Sequence, residues 1–77
     1  MCLAIPGQVM EIQGDGLTAS GLVRFGEIER RVNLALTPGV SVGDYVLVHV
    51  GFSITQIDVD EAQRIYDMLD VGEASIQ

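Results

Sequence analysis

Gly14-Asp15-Gly16-Leu17-Thr18-Ala19-Ser20-Gly21-Leu22-Val23-Arg24-Phe25-Gly26 is the stretch whose reading decides the fold. The Gly and Asp residues at its head supply the positive φ angles that a tight turn requires. Behind them Leu17, Ala19, Gly21, Val23 and Phe25 fall on one face, with Thr18, Ser20 and Arg24 on the other. Leu22 breaks the alternation, yet the period of two is that of a half-buried strand. Upstream, Pro6-Gly7 reads as a break and residues 8–12 as a short strand. Downstream, Gly26 turns the chain into a third strand, where Ile28, Val32 and Leu34 share a face with Arg30. Thr37-Pro38-Gly39 and Gly43-Asp44 punctuate the following loops, with Val40 and Val42 in a short extended piece between them. Residues 45–50 are apolar on both faces apart from His49 and are expected to form the most buried strand. Residues 52–57, after Gly51, form the last. Short strands parted by glycine turns predict a mainly β chain, either a small barrel or a sandwich.

One helix follows. Asp58 is its expected N-cap, and Glu61 three residues on completes the pattern of a capping box. Asp60 and Glu61 put negative charge at the positive end of the helix dipole. Ala62, Ile65, Tyr66 and Leu69 then recur at the spacing of a single apolar face. Gly72 is a natural stop. The expected organisation is one domain over residues 1–77: a barrel over about 1–57, an amphipathic helix over about 58–71 and a short flexible tail.

Size and charge narrow the function. A chain of 77 residues has room for one core and buries roughly 60% of its unfolded surface. Two Tyr, two Phe and no Trp leave that core to Val, Ile and Leu. The net charge is −7, with four arginines and no lysine. Such a surface repels phosphate backbones and anionic membranes, so neither nucleic acid nor a membrane is an expected partner. No apolar run approaches the roughly 20 residues that span a bilayer, and the opening residues lack the pattern of a signal peptide. The expected compartment is the cytoplasm. A single cysteine rules out an internal disulfide, whereas small secreted domains usually carry several.

Cys2 and His49 are the residues that could carry chemistry. Removal of Met1 would leave Cys2 with a thiol and a free amine on adjacent carbons, a pair able to close a five-membered chelate on a soft or borderline metal. The charged amine would also favour the thiolate. Equally, Cys2 could pack as a small apolar group. His49, the only histidine, is either a half-buried imidazole bonded to backbone or a second ligand or proton acceptor near Cys2. The second reading requires its strand to run beside the N-terminal strand. Two ligands do not close a zinc site, which normally needs four, so further ligands would come from a partner or from the cargo. The helix carboxylates Asp58, Asp60, Glu61, Asp67, Asp70 and Glu73 read as a solvated face, Asp44 as a turn cap, and Glu29-Arg30-Arg31 as surface pairing. No phosphate loop, metalloprotease helix or serine elbow is present, so a self-contained enzyme is not expected.

The opening Met1-Cys2-Leu3-Ala4-Ile5-Pro6-Gly7 resembles the start of the HypC/HybG/HupF proteins, and residues 43–52 (Gly-Asp-Tyr-Val-Leu-Val-His-Val-Gly-Phe) resemble their second motif. Arg31-Val32-Asn33-Leu34 and the Asp60-Glu61-Ala62 helix start also match that layout; Ser53 stands where those proteins often have alanine. The resemblance implies an OB-fold-like β-barrel with a C-terminal helix. It implies a chaperone for nickel-iron hydrogenase maturation, partnered by the HypD scaffold protein and then by the large-subunit precursor. No permanently bound cofactor is implied, only transient iron carrying cyanide and carbonyl ligands. The family's N-terminal cysteine maps to Cys2, the group central to both partnerships, and its motif histidine to His49, at the iron. Leu3, Ile5 and Pro6 would add apolar contact with the partner.

Two other classes fit less well. An oligonucleotide-binding barrel is opposed by the charge and by the few aromatic residues available for stacking. A thiol redox enzyme would need a resolving cysteine, and there is none.

Overall fold

A computed structural model of the chain describes residues 4–69. Five strands close into a barrel: β1 (Ile5–Gln13), β2 (Ser20–Phe25), β3 (Ile28–Asn33), β4 (Tyr45–His49) and β5 (Phe52–Ile57), followed by helix α1 (Val59–Leu69). Around the ring the order is β1-β2-β3-β5-β4. Neighbours are antiparallel except at the closing seam, where β3 and β5 run parallel and meet at Asn33 and Phe52. The Asn33 N–H donates to the Gly51 carbonyl at 2.9 Å beside this seam. The expected mainly β, OB-fold-like barrel with a C-terminal helix is what forms.

The period of two in the sequence becomes inside and outside. Val9, Ala19, Val23, Phe25, Val32, Leu34, Val46 and Val48 fill the barrel, with Ile5 and Val40 packed against them. Each large aliphatic group so buried contributes roughly 1.5–3 kcal/mol, which is how a core without tryptophan suffices. Gly7 and Gly21 are small for steric reasons. A Cβ on Gly7 would lie 2.4 Å from Val23 Cγ1, and one on Gly21 would lie 2.1 Å from the Glu11 carbonyl oxygen. Near that contact Met10 is the extra residue of a bulge, because Val9 faces Val23 while Glu11 faces Leu22.

Several expectations need correction. Pro6-Gly7 is not a break but part of β1. Val9 makes both of its backbone bonds on the β4 side, with Asp44 and Gly43. By alternation Pro6 turns its backbone the other way, towards β2. That strand's pairing with β1 reaches only to Gln8, opposite Arg24, so the missing proline N–H costs no ladder bond. Leu17 leaves the strand face for a single 3-10 turn, Gly16–Thr18, and stands 90% exposed. Positive φ angles at Gly14 and Gly16 shape this turn, and the alternation starts only at Ala19. Residues 34–44 form turns and no strand. Val40 is half-buried there, Val42 is exposed, and Asp44 accepts from the Ser41 N–H at 2.8 Å. Val50 is not in β4: with φ +53° it pairs with Gly51, φ +81°, in a two-residue hairpin turn between His49 and Phe52.

Among the described residues one polar pair lies inside. Ser53 is fully buried, and its hydroxyl is 2.8 Å from that of Thr37, itself 8% exposed. The departure from alanine at residue 53 therefore arrives with a hydrogen-bonding partner from the loop after β3.

Helix α1 is capped as expected. The Glu61 N–H donates to Asp58 Oδ1 at 2.8 Å, and the Asp58 N–H donates to Glu61 Oε1 at 3.2 Å. The helix packs on β1 and β4, with Ala62 buried and Ile65 and Tyr66 half-buried. Ala62 stands apart from the cluster that fills the barrel, so the helix covers the outside of the wall. The expected helix end at 71, Gly72 and the tail lie outside the described residues.

Candidate functional site

The ring order joins the first strand to the fourth. Ile5 faces Val48, Pro6 faces Leu47, Gly7 faces Val46 and Gln8 faces Tyr45. The chain therefore enters β1 beside the end of β4 that carries His49, which meets the condition for His49 to lie near the N-terminal segment. Val46 and Val48 point inwards, so Tyr45, Leu47 and His49 line the outer face. Phe52 is directly opposite His49 on that face and is exposed.

Cys2 and Leu3 lie outside the described residues. Of the remaining expected site residues, Ile5 is half-buried against the core and Pro6 is fully buried. In the free chain Pro6 thus supports the wall and offers no open surface to a partner. His49 is half-buried, and its imidazole makes no hydrogen bond with another described residue. The backbone-bonded histidine is therefore not the arrangement seen among those residues. No three His, Cys, Asp or Glu side chains gather to hold a metal among the described residues. No helix there is long and apolar enough to cross a membrane.

The surroundings of His49 are apolar and exposed: Val50 is 74% exposed at the turn, Phe52 lies on the outer face, and Ile54 follows on β5. Charge is engaged elsewhere on the barrel. Arg24 pairs with Glu29 at 3.4 Å, and Arg31 donates to Gln13 at 2.9 Å. A cavity of about 90 Å³ near the far end of β1, lined by Ile12, Leu34, Thr37 and Val40 among others, includes none of the expected site residues.

Sequence reasoning missed Tyr66 as more than a helix-face residue. Its phenol O–H donates to the Pro6 carbonyl. Burial, and next the neighbouring Tyr45, push its pKa above the usual phenol value. The only sequence signal was its place at i+4 from Ala62, which marks a buried face and not a hydrogen bond.

Comparison with known proteins finds relatives over most of the chain. The HupF/HypC family model matches residues 1–69. A protein of Synechocystis sp. named hydrogenase maturation factor HypC is 47% identical over 94% of this chain and 99% of its own length. A HypC of Cupriavidus necator is 45% identical over 83% of the chain and 68% of its own length. An Escherichia coli protein named hydrogenase maturation factor HybG is 41% identical over 90% of the chain and 88% of its own length.

Proposed function

This chain belongs to the HupF/HypC family, and from that premise we propose that it is a hydrogenase maturation chaperone acting in the cytoplasm. With a HypD-type scaffold protein it helps to assemble an Fe(CN)2CO unit. It then delivers that unit to the precursor of the large subunit of a nickel-iron hydrogenase. The iron unit is cargo and not a resident cofactor, and the chain is a carrier and not a catalyst.

The observation that carries this reading is the register of β1 on β4, which sets the start of β1 beside His49. Cys2 lies three residues before Ile5. A thiolate gives iron one soft ligand, and a single ligand releases its cargo more readily than a closed four-ligand cage. His49 would act as the second group at the iron, as a ligand or proton acceptor. Leu3 and Ile5, with the exposed Val50 and Phe52 nearby, would give the contact its apolar area.

The test is infrared spectroscopy on the anaerobically purified complex with the HypD-type partner, comparing wild type with Cys2→Ala. Cyanide and carbonyl stretching bands present in the wild type and lost in Cys2→Ala are expected. A complex that forms without such bands in either protein would refute cargo delivery. His49→Ala is expected to lower iron loading more than stability; a variant that simply unfolds would return His49 to a structural role.

A further inference from the structure

We infer that Tyr66 is a positioning residue for the partner-facing start of β1, acting through its hydrogen bond to the Pro6 carbonyl. The inference rests on the proposed role of Cys2.

It follows from how β1 is held at its start. Ile5 and Gly7 turn their backbone groups towards β4, as Val9 does. Pro6 and Gln8 turn theirs towards β2. Gln8 finds Arg24 there, but no β2 residue is paired with Pro6. Pro6 has no N–H to satisfy, and its carbonyl is taken by Tyr66, 60 residues along the chain. The phenol thus fills the place of a missing rung, on the side of β1 where the sheet has ended. Without it, the first turns of β1 would be held by the sheet along one edge only.

The helix is arranged for this purpose. Asp58 follows Ile57, which faces Tyr45, and Tyr66 reaches Pro6, which faces Leu47. Helix α1 therefore packs across the outer wall formed by β1 and β4. Its 11 described residues, taken alone, would be marginal as a helix in water. Its docking on the barrel and its order are one property, and β1 shares in it through Tyr66. A partner that takes Cys2 would meet a β1 start whose backbone Tyr66 holds at Pro6.

Three full-length variants test this against the purified HypD-type partner: Tyr66→Phe, Cys2→Ala and Val40→Ala. The last loosens core packing far from β1's start and serves as the stability control. Losing one neutral hydrogen bond corresponds to roughly a 2- to 10-fold change in an equilibrium. Tyr66→Phe is expected to raise the dissociation constant by that factor and to speed amide exchange at Ile5 and Gly7. Exchange at Val23 and Val46 stays as in the wild type. Wild-type exchange and affinity in Tyr66→Phe, with Cys2→Ala inactive, would overturn the inference and leave the proposed function standing. An equal loss of affinity in Val40→Ala would assign the effect to global stability and also overturn it. Undiminished binding by Cys2→Ala would remove both, since the partner contact would then not depend on the N-terminal end of β1.

Discussion

Replacing Ser53 by alanine removes one hydroxyl from the interior and leaves another behind. Thr37 Oγ1, 2.8 Å from Ser53 Oγ, is itself buried, and the two side chains tie the loop after β3 to β5. A buried polar group stripped of its partner costs about 1–3 kcal/mol, whereas removing both partners together is nearly neutral. For a domain of 60–100 residues each kcal/mol moves the melting temperature by about 4–8 °C. Ser53→Ala should therefore lower it by roughly 4–24 °C. Thr37→Val should cost more than Ser53→Ala, because Ser53 is fully enclosed while Thr37 keeps 8% of its surface open to water. The double variant should recover most of the loss, giving a coupling energy of about 1–3 kcal/mol. Urea unfolding of the four proteins, with unchanged denaturant slope, measures it. Single losses that simply add in the double variant would refute the argument, because the hydroxyls would then not be each other's partners.

Three further outcomes are expected. Gly21→Ala drives a Cβ into the Glu11 carbonyl and should cost at least about 1–3 kcal/mol. Gly39→Ala, with no neighbour within 4 Å, should stay within about 0.5 kcal/mol of the wild type; denaturant midpoints separate the two. Val50→Asn relieves a β-branched residue of a left-handed conformation and should stabilise by roughly 1 kcal/mol, seen as a higher melting temperature. Tyr66 has a folded pKa raised above the ordinary 10.0. As pH climbs past about 10 the unfolded chain loses this proton first. Its contribution is complete below pH 10 and is lost above it, up to the folded value. Melting temperatures across that range should fall less steeply in Tyr66→Phe, and parallel curves would contradict the assignment.

Much of the fold was legible because burial enforces alternation locally. Ala19, Gly21, Val23 and Phe25 could be read as one inward face, and Asp58 with Glu61 as a helix start, from residues a few positions apart. Leu17 reads as strand because side-chain type does not report the two left-handed glycines that fold its backbone into a turn. Val50 reads as strand because valine favours strands, and only the pairing of His49 with Phe52 shows that it turns the corner. Pro6 reads as a break because the direction of its absent N–H depends on which strands flank it. The site was legible as two candidate residues, with their proximity conditional on β1 lying beside β4, and that pairing joins segments some 40 positions apart in the chain. Tyr66 was out of reach because its partner is a carbonyl oxygen at the opposite end of the chain.

The parallel seam between β3 and β5, a single bridge at Asn33 and Phe52, has a mechanical consequence. A ring yields first at its thinnest join, and here that join runs through Phe52, the residue paired with His49 across the β4–β5 turn. Local opening at the seam would admit solvent between β3 and β5 beside His49, while the β1–β4 ladder keeps its own antiparallel bonds. Slack in the wall is thereby gathered at the turn end of β4 and β5, and alignment is left to the ladders on either side of β1.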